Sequence, residues 1–421
     1  MAFAESVKIN AELEEKDSFG RERASLPFNV FHVKFDKSPM ADLWQGTSVG
    51  GGSIAHNVAT SSLNLSVGTT SGDKACWTGK FFCPYIPGKS QLIRNTFVPA
   101  TPKANLNQET GYYYDLDGLF FRMKGLVPSF VKRSSTSGSP VETEILQSAW
   151  NYDKLDGTGT SGVTLDFTKA QHLVIDLQWQ AVGRVRFGFE VNGSIHFAHL
   201  FDSANALTDA YMQTASLPVR YCLENTGITA SASTMKTICA TVISEGGANA
   251  LSDAGVPHSY SLEEKANAVA AGTVGTPILA IRPSLLFNGR QNTISAFLRG
   301  ANVFSSSKPI YVEIKRDATI TGGQWVAGEP DSSVEVNRFV AESGGTGAAG
   351  AATGGHVIAE GYIAQKDVFP LDQLSLDRLG MSLNPDGTQG TSNIIVVAKQ
   401  YAGGGGGATN ASATLEVVEH M

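Results

Sequence analysis

From about residue 60 onward, apolar and polar side chains alternate with the period of two that a strand buried on one face requires. Leu63, Leu65 and Val67 fall on one side of such a segment, and the Thr-Thr-Ser-Gly-Asp run at 69–73 predicts a turn that makes a hairpin arm of it. The clearest pattern covers 172–201. Leu173, Ile175, Leu177 and Trp179 share one face. Val185, Phe187, Phe189 and Val191 share a face of the next segment, and Ile195, Phe197, His199 and Phe201 share one of a third. Asn192-Gly193 predicts a two-residue type I′ turn, because both central residues of that turn need positive φ and Asn and Gly tolerate it. This phasing puts Trp179, Phe187 and Phe189 in the core and Arg184 and Arg186 outside it. Length and β-branched content predict further strands at 278–282, 310–316, 394–399 and 413–418.

Helical composition is confined to short stretches at 11–16, 262–270 and 371–379. The first 60 residues mix an acidic opening with Gly50, Gly51 and Gly52 and show no continuous apolar face, so they read as an extended arm that gains order on a neighbouring chain. The glycine-rich stretches 344–355 and 403–407 have little to pack and are expected as loops at one end of a sandwich. The chain has 45 glycines among 421 residues, and charged residues reach only 17% against a usual ~25%. That mixture suits many short strands joined by turns. The predicted class is all-β: a jelly-roll-like β-sandwich over 61–421, with room for a subdivision near 250, an N-terminal arm over 1–60 and a few short helices.

A formal charge of -7 offers no attraction to nucleic acid or anionic lipid, so neither is expected as a partner. No stretch approaches the roughly 18 consecutive apolar residues of a membrane span, and the opening carries acids where a signal peptide has basic and then apolar residues. The four cysteines include no C-x-x-C pair. Cys76 and Cys83 are near enough in sequence to join across a hairpin, but buried free thiols are the favoured reading.

Pro87-Gly88-Lys89-Ser90 matches only the end of a phosphate-binding loop. Its first glycine would stand where Cys83 stands, and Gln91-Leu92-Ile93 reads as a strand where such a loop needs a helix. His196 and His199 are three apart on a predicted strand, so they are expected on opposite faces, unable to share a metal. The run Asp153-Lys154-Leu155-Asp156-Gly157-Thr158-Gly159 gathers oxygen donors and sharp-turn residues, which makes Asp153 and Asp156 candidate calcium ligands. Its spacing matches no calcium loop, and ordinary side-chain-capped turns account for it better. Arg184, Arg186 and Glu190 form an outward charged face, read first as an ion-paired or interface surface and second as a ligand face for a glycan or carboxylate. No Ser, His and acid arrangement stands out. These residues call for no cofactor, and the chain reads as not an enzyme.

Several blocks resemble a family of virion structural proteins of tailed phages, also met in some large DNA viruses. They are SFGRERAS at 18–25, PGKSQLI at 87–93, RSSTSGSPVETEILQSAWNYDKLDGTGTSGVTLDFTKAQ at 133–171, VIDLQWQAVGRVRFGF at 174–189, LPVRYCLENTG at 217–227 and ICATVISEGG at 238–247. Weaker likeness continues in ILAIRP at 278–283, HVIAEGY at 356–362 and ATLEVVE at 413–419. The resemblance implies a structural subunit of the virion, in tail, baseplate, fibre or capsid surface, whose partners are its own copies and other virion proteins. It supplies no catalytic or binding residues. The chain departs from the family pattern at 75–82 and in its glycine-rich loops after 340. Edge strands that need cover favour a symmetric assembly, most simply a homotrimer. The alternative is a host-glycan or receptor-binding module of the virion, holding sugar through aromatic and polar side chains at the loop end of the sandwich. A third reading, a virion-associated glycan-degrading enzyme, needs two carboxylates about 5 to 9 Å apart in a groove.

Overall fold

The computed structural model describes residues 26–80, 82–245, 255–262, 266–269, 275–339, 350–364, 368–370, 392–400 and 409–420, with single positions at 381, 384, 387 and 388. Within them the chain is all-β: strands and loops, two single-turn 3-10 helices at Val58–Thr60 and Gln147–Ala149, and no α-helix. Among the described residues no helix is long and apolar enough to cross a membrane. The strands build two antiparallel β-sandwiches in succession, each with its own core. One core runs from Val30 to Val242 and the other from Tyr260 to Val417.

In the first sandwich an eight-stranded sheet runs Ser194–Phe201, Val185–Val191, Gln171–Leu177, Gln91–Val98, Ser233–Ser244, Ser62–Val67, Ser53–Asn57, and Phe28–Lys34 joins the far half of Ser233–Ser244. A seven-stranded sheet faces it, in the order Val141–Leu146, Val127–Ser134, Gly118–Lys124, Leu106–Tyr113, Val219–Asn225, Lys74–Gly79, Trp44–Val49. Alternation explains the packing. Gln91–Val98 buries Gln91, Ile93, Asn95 and Phe97 and turns the residues between them outward. Phe187 and Phe189, from the eight-stranded sheet, are fully buried against Phe130 at 4.7 Å and Phe121 at 5.4 Å from the other sheet. The predicted turn is present: Asn192 (φ 54°) and Gly193 (φ 79°) join the two strands, with Val191 opposite Ser194. Trp179 lies beyond the end of its strand, half-buried at the rim of the core and edge-on to Tyr85.

Four expectations need correction. The arm expected over 1–60 is, from Phe28 on, part of the first sandwich: Phe31, Val33 and Phe35 alternate inward and, with Trp44, pack in the core. A bulge between Asn29 and Phe31 shifts the register, which hides this alternation from a count of two, and residues 1–25 lie outside the described residues. Ser62–Val67 and Lys74–Gly79 form no hairpin. They sit in opposite sheets, joined by a crossover whose Asp73 carboxylate accepts the Gly51 amide at 2.7 Å and the Thr70 amide at 3.2 Å. The helix expected at 262–270 contains the strand Asn267–Val269, paired with Thr409–His420; those at 11–16 and 371–379 lie outside the described residues. Finally, Cys76 does not pair with Cys83 and is not free: it faces Cys222 across two neighbouring strands and is bonded to it, while Cys83 and Cys239 are free thiols.

The second sandwich pairs a five-stranded sheet, centred on Thr409–His420 and Ser295–Ser305, with a six-stranded sheet ordered Trp325–Ala327, Val334–Asn337, Thr276–Pro283, Ile394–Gln400, Ile310–Arg316, His356–Ile363. All four strands predicted there are present. A small hairpin, Leu286–Phe287 with Arg290–Gln291, leaves this body through another Asn-Gly turn at Asn288 and Gly289. Of the glycine-rich stretches, Gly350 precedes a short strand, Ala351–Thr353; 341–349 and 403–407 lie outside the described residues. Among the described residues three polar contacts bind the sandwiches together. Ser295 Oγ donates to the Phe82 carbonyl at 2.6 Å, Arg316 Nη2 donates to the Asp42 carbonyl at 2.7 Å, and His356 lies 2.9 Å from the Asp42 carboxylate.

Candidate functional site

The outward face that carries Arg184, Arg186 and Glu190 is an ion-pair lattice. Arg184 bonds Asp202 at 2.6 Å, Arg186 bonds Asp176 at 2.7 Å and lies over the Phe197 ring at 4.2 Å, and Glu190 pairs with Arg94 and faces His172 at 3.4 Å. Arg184 and Arg186 line a polar hollow of about 310 Å³ with Ser90, Asp176, Gln178 and Glu245. Phe197 is on this face because of a bulge opposite Phe187/Gly188, which breaks the expected grouping of Phe197 with His199. The same bulge pairs His196 with Phe189 and His199 with Phe187, so the odd spacing does not send the two histidines to opposite sides.

Asp153 accepts the amides of Leu155 and Ser161, each at 2.8 Å, and Asp156 accepts the amide and hydroxyl of Thr158 at 2.9 and 2.6 Å. These are turn-capping bonds, and they hold the Asp156 carboxyl below the usual carboxylate range. Among the described residues no three His, Cys, Asp or Glu side chains are grouped to hold a metal.

The outer face of the seven-stranded sheet carries a cluster that the sequence reading missed. Arg122 sits between Glu109 at 2.8 Å, Glu142 at 2.7 Å and Glu144 at 3.6 Å, and Arg133 reaches Glu142 at 2.7 Å. Beneath the guanidinium groups, Tyr113 and Phe120 stack at 4.3 Å. Burial alone would raise the Glu109 and Glu142 carboxyls, but the two arginines outweigh it, lowering Glu109 and bringing Glu142 to about 2. Carboxylates held ionised in this way accept hydrogen bonds and donate no proton. The i, i+2 spacing of Glu142 and Glu144, on one face of a strand, was the available signal.

A further cleft lies between the sandwiches. Tyr114, Gln213 and Thr214 of the first face the Asn288-Gly289 hairpin and its continuation to Ile294 in the second, enclosing about 480 Å³. Local folding fixes both walls. Tyr114 donates to Asp117 at 3.1 Å, the Gln213 backbone amide donates to the Asp117 carboxylate at 3.1 Å, and Gln213 Nε2 donates to the Ser135 carbonyl at 2.8 Å. Opposite, Asn292 donates to the carbonyls of Ser284 and Ser333 and accepts the Ile294 amide, which locks the base of the hairpin. The half-buried Phe287, the exposed Arg290 and Gln291 are thereby presented to the cleft. Gln291 Nε2 is buried with no hydrogen-bond partner, and among the described residues Arg290 is paired with no carboxylate. The mark that could have found this wall is its Asn-Gly dipeptide, the same signal as at 192–193.

A second exposed aromatic feature lies on the six-stranded sheet. Tyr311 and Tyr362 are cross-strand neighbours with ring centroids 5.1 Å apart, flanked by Glu360 and Lys399.

No family model and no curated protein matches the chain. Among solved structures it is similar to a Bacillus licheniformis β-glucanase, at 11% identity over 50% of this chain and 96% of that one, with a TM-score of 0.33. It is similar to a putative β-glucanase from Mycobacterium abscessus at 13% identity, covering 51% and 100%, TM-score 0.36. It is also similar to the CBM2 module of the evolved Dit of Lactobacillus casei BL23 phage J-1, at 10% identity, covering 53% and 98%, TM-score 0.33. Likeness at this level transfers no residue and assigns no activity. The glucanases nevertheless correct the reading of the chain as not an enzyme. Sandwiches with glycosidase names stand among its neighbours, so the missing motif does not exclude catalysis and that reading is withdrawn.

Proposed function

We propose that the chain is a glycan-binding subunit of a virus particle, which takes a sugar in the cleft between its two sandwiches. One observation carries the reading: aromatic rings and amide side chains of both sandwiches converge there, Tyr114 and Gln213 from the first and Phe287, Asn288, Gln291 and Asn292 from the second. A pyranose has apolar C–H faces and a rim of hydroxyls. It is held by a ring beside polar groups already fixed in position, and Phe287, Gln213 and Gln291 supply that combination. The virion setting rests on the sequence blocks, the longest of which, 133–171 and 174–189, contribute Trp150, Leu155, Ile175, Phe187 and Phe189 to the first core. Its partners there are its own copies, in a symmetric assembly, and other virion proteins, with a host surface glycan as ligand.

Glycan-array screening followed by calorimetry tests the ligand. Phe287→Ala is expected to weaken the bound glycan by about tenfold or more, equivalent to ~1.4 kcal/mol, while Tyr362→Ala leaves it unchanged. Loss of binding in Tyr362→Ala alone would move the site to the six-stranded sheet. Antibody labelling of purified particles tests the setting, and particles that bind no antibody overturn it.

A further inference from the structure

We infer that Asp117 is the positioning residue of the cleft's first wall, holding Gln213 so that its side-chain carbonyl accepts a hydroxyl of the sugar. This rests on the glycan reading of the same cleft. Asp117 has no exposed surface. Its two oxygens take two donors each: Oδ1 accepts the Ser135 amide at 3.0 Å and the Gln213 amide at 3.1 Å, and Oδ2 accepts the Ser135 hydroxyl at 2.7 Å and the Tyr114 hydroxyl at 3.1 Å. These donors fill the acceptor sites of a carboxylate, so Asp117 has nothing left to give a ligand and acts only through what it holds.

The bonds join segments far apart in the chain. Asp117 closes the turn after Leu106–Tyr113, where its carbonyl accepts the Tyr114 amide at 2.9 Å. Ser135 follows the strand Val127–Ser134, and Gln213 lies in the irregular segment between Ser194–Phe201 and Val219–Asn225. A segment of that kind keeps one conformation only where tertiary bonds take the place of a ladder. Ser135 fixes the far end of Gln213 as well, because its carbonyl accepts Nε2 at 2.8 Å. A carbonyl can only accept. The amide nitrogen must therefore face Ser135, and Oε1 is the polar atom that Gln213 has to offer. Oε1 accepts no hydrogen bond from the described residues and is not among their buried orphans. Across the cleft Asn292 is spent, with Nδ2 on the Ser284 and Ser333 carbonyls and Oδ1 on the Ile294 amide. An acceptor calls for a donor, and a sugar hydroxyl is one.

Two measurements on the full chain separate this inference from the reading beneath it. The first needs no ligand. Asp117→Asn keeps the shape of the side chain but turns an NH2 group on its donors, so in NMR the Gln213 side-chain amide is expected to move to the shift of a solvated glutamine while that of Asn292 stays. The second is calorimetry with maltotriose, cellotriose, galactotriose and chitotriose, followed on the tightest. Gln213→Ala is expected to weaken it about fivefold, the worth of one ordinary hydrogen bond. Asp117→Asn should weaken it by a similar factor, and the double variant no further than Gln213→Ala alone, because one residue acts through the other. A merely structural role for Asp117 gives losses that multiply. If Asp117→Asn does not fold, Ser135→Ala removes a single donor and should shift both readouts less, in the same direction. A Gln213 amide that does not move, or losses that multiply, overturn this inference and leave the glycan reading standing. A parent chain that binds none of the sugars, with the Gln213 amide moving as expected, overturns the glycan reading and with it the role of Gln213 toward a hydroxyl.

Discussion

His199 carries a chemical state that its position dictates. Its Nδ1 accepts the Asn151 amide, a bond the doubly protonated ring cannot make, and its ring lies edge-on to Phe201. Burial pushes its pKa down to about 4 from 6.5. Between those values the unfolded chain binds a proton that the folded chain refuses, so stability that is complete above pH 6.5 declines as the pH falls toward 4. His199→Gln should flatten that decline in chemical denaturation followed against pH. An unchanged slope would assign it to other groups. Glu142 acts lower on the scale, its contribution complete above 4.5 and lost as the pH approaches 2. Phe187 tests packing at the same scale: its ring is fully buried, so Phe187→Ala should cost about 3–5 kcal/mol, read from the denaturation midpoint. Both core phenylalanines were legible in sequence because their strand is regular, whereas the ion-pair partners of Arg184 and Arg186 were not. Asp202 and Asp176 come from neighbouring strands, and alternation names a face without naming its neighbours.

Strands were legible wherever alternation ran unbroken: the segments predicted at 310–316 and 394–399 are Ile310–Arg316 and Ile394–Gln400. Pairing was not legible, because a period of two is the same whether the next strand lies beside the first or across the core from it. Ser62–Val67 and Lys74–Gly79 are the case in point. Bulges defeat the count in another way, as at Val30 and at Ala198 opposite Phe187/Gly188, where one added residue reverses the side chains beyond it on its own strand. Two glycines of one hairpin separate turn geometry from packing. Gly193, at φ 79° with open space around it, becomes strained as Ala by about 1–2 kcal/mol. At Gly188 a Cβ would stand 2.4 Å from the His196 carbonyl oxygen, so Gly188→Ala must push strands apart and should cost more. Equal melting temperatures for the two variants would refute the distinction. The Cys76–Cys222 bond spans 146 residues, a separation at which neither cysteine signals the other in sequence. In the chain-entropy account a loop of that size is worth about 5 kcal/mol, so reduction should lower the denaturation midpoint sharply, and Cys76→Ser should abolish the difference between reduced and oxidised protein.

At the scale of the molecule, the cleft exists only because two sandwiches meet, and this is why the sequence did not disclose it. Its walls come from residues 114 and 213–214 on one side and 287–294 on the other, brought together by a joint that no local pattern encodes. The described polar bonds of that joint are few and specific. Ser295 and Arg316 are buried, and each donates to a backbone carbonyl of the first sandwich that would otherwise lose a partner. Neither residue lines the cleft. If the joint holds the walls at their spacing, Ser295→Ala with Arg316→Ala should leave both cores intact yet widen or loosen the space between them. Scanning calorimetry is then expected to show one cooperative unfolding transition in the parent chain and two in the double variant, because coupling between the bodies is what merges their transitions. Glycan affinity should fall together with that coupling, although every residue facing the ligand is unchanged. A parent chain that already unfolds in two steps, or a double variant that splits without losing affinity, would show that the joint does not set the cleft.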